Sequence, residues 1–265
     1  MKTRIIVLDW AGTTVDFGSF APVAALQKAF GDFGLNPALA EIRAPMGLAK
    51  RAHVAQMLAE EPLAAAWAEK FGSRPGKAEA DQVYARFEPA LMALLGSHTD
   101  LLPGVVETVA RLKSRGFKIG STTGYSRAMM EIVTPAALSA GYAPDALVCP
   151  EETGGHGRPY PYMLWRVLEK LGAESIAGVV KVGDTLADIA EGLHAGCLSV
   201  GVIAGSSLLG LSREEIESLP EPEKKTRFES VREEFLAAGA ARVLDDLTTL
   251  PDWVESLPLY SACKG

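Results

Sequence analysis

Short apolar runs and longer amphipathic stretches follow one another along most of the chain. The first run, at residues 5–8, has four apolar residues and ends at Asp9, which is typical of a strand buried on both faces. Similar runs predict further strands at residues 118–122, 146–149, 179–182 and 198–203. Helical periods around them predict helices at residues 105–115, 126–140, 161–171, 186–195 and within 212–238, with a short closing segment at 241–244. This alternation predicts an α/β fold with a doubly wound, mainly parallel, Rossmann-like sheet.

One region interrupts the alternation. Residues 22–95 show no strand pattern, only amphipathic helical stretches at 22–33, 48–60, 63–71 and 79–95, separated by prolines and glycines. We therefore predict an α/β core formed by residues 1–20 and 98–265, with an all-helical insertion at residues 21–97.

Composition narrows the class of protein. The 265 residues, 48% of them hydrophobic, suffice for one large domain or a domain with an insertion. A net charge of −7 without a basic run argues against a nucleic-acid partner, and no apolar run reaches the ~18 residues of a membrane span. Without a leader pattern, this predicts a soluble cytoplasmic protein with no membrane partner. Cys149, Cys197 and Cys263 lie far apart, so we expect free thiols, mostly buried, rather than disulfides or a zinc site.

Candidate chemistry begins at Asp9. A carboxylate that follows a buried parallel strand lies at the sheet edge where α/β proteins bind their ligands. The residues after Asp9 are small or hydroxylic, so we expect their backbone N–H groups to converge on an anion beside it. The alternative at this position is an Asp that only caps the next helix.

Two further segments carry groups suited to phosphate. Thr123 and Gly124 follow the second predicted strand, where a hydroxyl and an N–H group could bind a phosphoryl oxygen, although the same residues are common in helix caps. Arg158 lies between Gly157 and Pro159 just before a helix, and its guanidinium suits bidentate binding of phosphate. A solvated surface arginine is the alternative.

A pair of carboxylates follows the strand predicted at 179–182. Asp184 comes directly after Gly183, and Asp188 lies one helical turn later, so both carboxylates face the same side. Paired carboxylates at a strand end are suited to hold Mg²⁺, which prefers oxygen ligands. A capping Asp next to an unrelated helical Asp is the alternative.

Together these segments resemble the four motifs of the haloacid dehalogenase-like superfamily. The resemblance implies that an Asp attacks carbon or, more often, phosphorus, and that a helical cap is inserted after the first strand. Phosphatases of the superfamily usually carry a second Asp two residues after the nucleophile, where this chain has Ala11. This departure argues against phosphate-ester hydrolysis, because an alkoxide leaving group would lack its proton donor.

The chain resembles one branch, the phosphonoacetaldehyde hydrolase (phosphonatase) family, most closely. The resemblance rests on residues 9–16, 20–22, 45–50 with His53, 120–125 and 157–161. It implies cleavage of the carbon–phosphorus bond of a small phosphonate to acetaldehyde and phosphate in 2-aminoethylphosphonate degradation, with Mg²⁺, a cap lysine that forms a Schiff base, and a homodimer.

The resemblance also implies a role for individual residues. The metal ligands would be the Asp9 carboxylate, the Ala11 carbonyl and Asp184. The other catalytic residues would be Lys50, His53, Thr123, Arg158 and Asp188, and the substrate-binding residues would be Ala11, Gly12, Met46, Gly47, Gly124 and Tyr125. It assigns no role to Ser19, His98, His156 or His194.

The chemistry explains why these residues belong together. Breaking a carbon–phosphorus bond leaves a carbanion, and an iminium formed by Lys50 would accept its electrons. Asp9 would attack phosphorus while Mg²⁺ and Arg158 hold the phosphoryl oxygens. Burial would lower the lysine pKa from ~10.4, and His53, three residues on, could relay a proton.

Two other functions stay open from the sequence. One is a phosphomonoester phosphatase or phosphomutase on the same scaffold, against which Ala11 argues. The other is a non-catalytic phospho-receiver, or a module that binds Mg²⁺ and phosphate, because an Asp at a strand end is also used in that way.

Overall fold

A six-stranded parallel sheet forms the centre of the molecule. The computed structural model describes residues 4–258. The strands are β1 (Ile5–Leu8), β2 (Lys118–Thr122), β3 (Ala146–Val148), β4 (Val179–Gly183), β5 (Leu198–Val202) and β6 (Arg242–Leu244). Their order in the sheet is β3-β2-β1-β4-β5-β6, and every neighbouring pair is parallel. The predicted doubly wound α/β fold is confirmed.

The register of the three central strands determines where the site lies. Leu8 is paired with Ser121 of β2 on one side and with Val182 of β4 on the other. The carboxyl ends of β1, β2 and β4 therefore meet at one edge of the sheet. The loops that follow these strands leave from that edge, where open α/β sheets bind ligands.

Five helices lie within residues 20–95, and this region contains no strand. They are α1 (Phe20–Gly31), α2 (Leu39–Arg43), α3 (Lys50–Ala59), α4 (Leu63–Phe71) and α5 (Lys77–Leu95). The sequence pattern missed α2, because this five-residue helix buries only Ile42 and is too short to show a period. Helices α1 and α5 pack against each other through fully buried residues such as Phe30 and Phe87.

The remaining helices lie outside this region, and several of them cover the two faces of the sheet. They are α6 (Val105–Ser114), α7 (Arg127–Ser139), α8 (Tyr162–Lys170), α9 (Leu186–Ala195), α10 (Arg213–Ser218), α11 (Glu221–Ala237) and α12 (Leu250–Ser256). Ile6 and Leu8 belong to the hydrophobic cluster that contains the apolar side of α6, whereas Ile5 and Val7 belong to the cluster that contains α8. The first strand is thus buried on both faces, as its apolar run predicts.

Two other expectations from the sequence are tested by the structure. Cys149 is a buried free thiol and Cys197 a partly buried one, while Cys263 lies outside the described residues. Within residues 4–258, every helix is too short or too polar to cross a membrane.

Candidate active site

Asp9 lies at the carboxyl end of β1 and is almost fully buried. Its backbone N–H donates to the Val182 carbonyl oxygen (3.0 Å), which continues the pairing of β1 with β4 by one residue. Its Oδ1 accepts a hydrogen bond from Arg158 Nη2 at 2.7 Å. Burial raises the pKa of Asp9, and the positive charge of Arg158 opposes that rise. The Asp9 side chain thus pairs with a buried arginine. An Asp that only caps a helix would not need this partner.

The turn after Asp9 differs from the sequence prediction. The N–H groups of residues 12–15 donate to backbone carbonyl oxygens: Gly12 to Val15, and Thr13, Thr14 and Val15 to Trp10, at 2.7–3.1 Å. These donors close the turn and do not converge on an anion beside Asp9, so the prediction was wrong for these four groups.

Three carboxylates meet at this edge of the sheet. Asp9, Asp184 and Asp188 each place an oxygen within 4.8 Å of the others, and all three are buried. Asp184 accepts hydrogen bonds from Thr13 Oγ1 (3.1 Å) and the Ser207 N–H (2.9 Å). Burial, followed by the charges of Asp9 and Asp188, raises the pKa of Asp184 well above its usual range. A hard divalent cation would relieve this repulsion, so the donor set fits Mg²⁺.

Asp188 differs from the other two carboxylates because protein cations already neutralise it. Its Oδ1 lies 3.1 Å from Arg158 Nη1 and 2.8 Å from Lys181 Nζ. Although burial alone would raise the pKa of Asp188, the charges of Arg158 and Lys181 hold it below its usual value. Asp9 and Asp184 are therefore the two carboxylates that fit a metal ion best.

Arg158 is buried, and each nitrogen of its guanidinium has an acceptor within the protein. Nε donates to Glu191 (3.0 Å), Nη1 to the Gly47 carbonyl (3.3 Å) and lies beside Asp188, and Nη2 donates to Asp9 and to the Thr122 carbonyl (both 2.7 Å). The alternative of a solvated surface arginine is wrong. In this arrangement Arg158 holds the Asp9 carboxylate, and a bond to phosphate would have to replace one of these bonds.

Lys50 is the first residue of α3 and is buried, with 6% of its surface exposed. Its Nζ lies 3.9 Å from Met46 Sδ and 5.2 Å from the centre of the Tyr125 ring. Burial lowers the pKa of Lys50 to about 8, although the charge of Asp9 opposes this shift. An ordinary helical lysine would be exposed and positively charged, so this environment is suited to an amine that reacts in its neutral form.

A small cavity of about 20 Å³ brings most of the predicted residues together. It is lined by Asp9, Ala11, Ser19, Pro22, Met46, Gly47, Lys50, Thr123, Gly124, Tyr125, Arg158 and Thr185. This volume holds about one water molecule, so the helical insertion is packed tightly onto the sheet edge. A larger cavity of about 750 Å³ beside α11 contains none of the predicted site residues.

Two glycines permit this close packing. Gly47 has a φ of +88°, and a Cβ on it would lie 2.2 Å from Thr185 Oγ1. A Cβ on Gly124 would lie 2.4 Å from the Leu48 carbonyl oxygen. The backbone also bonds across this contact, because the Lys50 N–H donates to the Gly124 carbonyl (3.2 Å). Any larger residue at either position would push the loop before α3 away from the sheet edge.

Gly12 and His53 lie behind the cavity rather than on its wall. A Cβ on Gly12 would lie 2.3 Å from Asp184 Oδ2, so this glycine makes room for the carboxylate. His53 is fully buried, and its Nε2 donates to the Ile42 carbonyl at 2.8 Å. Burial and the charge of Lys50 lower the pKa of His53 to about 3, which keeps the imidazole neutral.

The sequence prediction missed several residues that support the site. Lys181 and Glu191 are fully buried and contact Asp188 and Arg158. A lysine in the middle of the apolar strand β4 was the available signal, because an unpaired charge is rarely buried. Arg43 was not predicted either, and the short helix that carries it gave no signal.

Comparison with known proteins places the chain in a family. A family model described as haloacid dehalogenase-like hydrolase matches residues 3–196. The chain therefore belongs to the haloacid dehalogenase-like hydrolases and, by the relatives that follow, to their phosphonoacetaldehyde hydrolase branch. It is 42% identical over 257 residues to phosphonoacetaldehyde hydrolase from Bacillus cereus (strain B4264), with 97% of each chain covered.

Two other similar proteins carry the name of the same branch. A bifunctional phosphonoacetaldehyde hydrolase/aminoethylphosphonate transaminase from Clostridioides difficile (strain 630) is 44% identical over 251 residues, which cover 95% of this chain and 39% of that protein's length. The crystal structure of a phosphonoacetaldehyde hydrolase-like protein from Oleispira antarctica superimposes with a TM-score of 0.93. It is 34% identical, with 100% of this chain and 96% of that chain covered.

Proposed function

We propose that this chain hydrolyses the carbon–phosphorus bond of phosphonoacetaldehyde to acetaldehyde and phosphate. The observation that carries the proposal is a buried lysine, Lys50, on the wall of the same small cavity as the buried carboxylate of Asp9. The residue two positions after Asp9 is Ala11, which cannot protonate an alkoxide. An amine and a carboxylate around one small molecule suit a substrate that carries both an aldehyde and a phosphoryl group.

Lys50 would act on the aldehyde. Its neutral amine adds to the carbonyl carbon, and loss of water leaves a protonated imine, the Schiff base. The pKa of about 8 leaves a useful neutral fraction of the amine near neutral pH. Met46 and Tyr125 lie against Nζ and would direct it toward the substrate.

Asp9 would take the phosphoryl group. Its carboxylate attacks phosphorus, the carbon–phosphorus bond breaks, and the electron pair of that bond moves into the iminium to give an enamine. Water then hydrolyses the aspartyl phosphate to phosphate. Protonation of the enamine carbon and hydrolysis of the imine release acetaldehyde and free Lys50.

Other residues of the site would orient the phosphoryl group. The Thr123 Oγ1 accepts the Tyr125 N–H at 3.0 Å, which leaves the hydroxyl proton for a phosphoryl oxygen. Arg158 would keep the Asp9 carboxylate in place. The Asp9 and Asp184 carboxylates and the Ala11 carbonyl would hold Mg²⁺, which when bound offsets the negative charge of the phosphoryl oxygens.

His53 would handle protons at the Schiff base. In the described part of the chain its Nδ1 is buried without a hydrogen-bond partner, whereas Nε2 is bonded to Ile42. A neutral imidazole with a free lone pair can accept a hydrogen bond from the imine N–H or from a bridging water molecule, and so guide the relay of a proton there.

The helical insertion would act as a mobile cap. We place the cap at residues 21–97 and the core at residues 1–20 and 98–265. A cavity of about 20 Å³ is too small for phosphonoacetaldehyde, so the cap must move to admit the substrate. The homodimer, the cytoplasmic location and the place in 2-aminoethylphosphonate degradation stay predictions.

Borohydride trapping tests the proposal. The protein is incubated with phosphonoacetaldehyde and sodium borohydride, digested, and mapped by mass spectrometry. We expect a reduced adduct on Lys50 and on no other lysine, together with loss of phosphate release. Lys50→Arg should form no adduct and show no turnover, because a guanidinium does not condense with the aldehyde.

The matched control is Lys70→Arg, which changes an exposed lysine of α4 in the same helical region. It should keep both the adduct and the turnover. Turnover of phosphonoacetaldehyde that survives in Lys50→Arg would contradict the proposed Schiff-base step.

A further inference from the structure

A second ion pair lies beneath the site and takes no direct part in the proposed chemistry. Lys181 is in the middle of β4 and Glu191 is in α9, and both side chains are completely buried. Lys181 Nζ lies 3.3 Å from Glu191 Oε2. We refer to these two residues as the support pair.

The support pair contacts two residues of the site directly. Glu191 Oε2 accepts a hydrogen bond from Arg158 Nε at 3.0 Å, and Lys181 Nζ lies 2.8 Å from Asp188 Oδ1. Thr122 contacts both members of the support pair, because its hydroxyl donates to Glu191 (2.8 Å) and accepts from Lys181 (3.0 Å).

Folding alone does not account for this pair. Taking a lysine and a glutamate out of water costs free energy that their attraction recovers only partly, and well-packed apolar residues often stabilise a fold equally well. The neighbours of Lys181 along β4 are the apolar residues Val180 and Val182. A charged pair buried at such a place is therefore expected to have a task other than stability.

The geometry indicates the task. A guanidinium is planar, so the bond from its Nε fixes the directions of Nη1 and Nη2. With Nε held by Glu191, Nη2 faces Asp9 and Nη1 faces Asp188. Lys181 holds Asp188 from the other side.

We propose that Lys181 and Glu191 are positioning residues that fix Arg158 and Asp188 so that Arg158 holds the Asp9 carboxylate ready to accept a phosphoryl group. The inference rests on the proposed function only in taking Asp9 as the phosphoryl acceptor. It does not depend on the Schiff base or on the identity of the substrate.

The test replaces the support pair by apolar residues of similar size, in the double variant Lys181→Met/Glu191→Leu. Removing both charges avoids an unpaired buried charge, so the variant should fold and unfold at about the temperature of the wild type. We expect kcat for phosphonoacetaldehyde to fall by about 10- to 100-fold, the range typical of residues that orient a functional group without contacting the substrate. KM should stay within about threefold of the wild-type value.

A second measurement is independent of the substrate. Trifluoroberyllate takes the place of a phosphoryl group on a carboxylate, and its binding with Mg²⁺ can be followed by ¹⁹F NMR. We expect the double variant to bind it at least about 10-fold more weakly than the wild type. The single variant Glu191→Gln keeps the shape of the side chain but loses its charge, and should show a smaller loss in both measurements.

The control variant is Ser199→Ala. It removes another fully buried polar group between β5 and α9, the hydroxyl that donates to the Ile189 carbonyl (2.9 Å), without touching Arg158 or Asp188. It should leave kcat and trifluoroberyllate binding unchanged.

The outcomes separate the two proposals. A folded double variant with wild-type kcat and trifluoroberyllate binding would overturn the role of the support pair. A wild type that binds trifluoroberyllate but leaves phosphonoacetaldehyde intact would contradict the proposed function alone, and binding by the variants would still decide this inference. If the double variant does not fold, Glu191→Gln decides it, and unchanged binding in that variant counts against it.

Discussion

At the scale of single residues, the site depends on burial changing the chemistry of ordinary side chains. Lys50 has a lowered pKa, and Asp9 and Asp184 have raised ones, in each case chiefly because the charged form is removed from water. The motifs in the sequence predicted which residues carry the chemistry. The lowered pKa of Lys50 was expected from the sequence, but the raised pKa values of Asp9 and Asp184 were not, because they depend on what packs around each carboxylate.

The pH dependence of the reaction should report on Lys50. In the proposed mechanism only the neutral amine attacks the aldehyde, and the pKa of Lys50 is about 8. We therefore expect kcat/KM to rise about tenfold per pH unit below pH 8 and to level off above it. The measurement is a pH–rate profile with phosphonoacetaldehyde between pH 6 and 10. A profile that keeps rising to pH 10 would indicate a lysine exposed to water and would contradict the burial of Lys50.

At the scale of elements, the loop before α3 and the end of α2 join the helical insertion to the sheet. Arg43, the last residue of α2, donates from Nη1 to the carbonyl oxygens of Gly18 (2.9 Å) and Ser207 (3.1 Å), and its guanidinium lies 5.4 Å from the Phe20 ring. Ser207 in turn donates its N–H to Asp184. One arginine thus links the insertion to the loop that holds a candidate metal ligand.

Removing this link should loosen the closed arrangement. In Arg43→Gln we expect KM for phosphonoacetaldehyde to rise by about 10-fold, because two hydrogen bonds from a charged donor are lost. Lys50 should also react faster with an amine-modifying reagent, measured by mass spectrometry without substrate.

Arg51→Gln is the matched control. Arg51 pairs with Asp81 of α5 at 2.5 Å, so its loss affects only contacts within the insertion. It should leave both KM and the modification of Lys50 unchanged. Equal effects from the two variants would show that Arg43 has no special role in closure.

The elements also show where prediction from the sequence succeeded. The helix predicted at 63–71 and the strand predicted at 118–122 begin and end at the predicted residues. In both, the hydrophobic pattern is distinct and is bounded by residues that end such an element. The short elements α2 and α12 were not predicted. Their positions depend on contacts with other parts of the chain, such as those of α12 with α6.

At the scale of the whole molecule, the carboxylates of Asp9 and Asp184, buried close together, lower the stability of the fold until a metal ion joins them. We expect Mg²⁺ to raise the melting temperature by roughly 5–10 °C at 100 times its Kd, since binding to the folded state alone adds about 2.7 kcal/mol. The measurement is thermal unfolding with Mg²⁺ and with a chelator at pH 7.5.

The pH dependence of this shift has a defined sign. Because the pKa of Asp184 is raised, a proton competes with the metal as the pH falls, so the Mg²⁺ shift should shrink between pH 7.5 and pH 5. Asp184→Asn should abolish the shift at both pH values. A shift that persists in this variant would place the metal elsewhere.

The sequence by itself determined the order of strands and helices along the chain, the helical insertion and the identity of the candidate reactive residues. The reason is that hydrophobic periodicity, the residues that end helices and strands, and short motifs all involve positions that are neighbours in the sequence. Only the tertiary structure decided that Arg158 holds Asp9, that Lys181 and Glu191 lie beneath it, and that Lys50 is buried beside Tyr125. These contacts join residues far apart in the chain, and the pKa shifts follow from the burial that the contacts create.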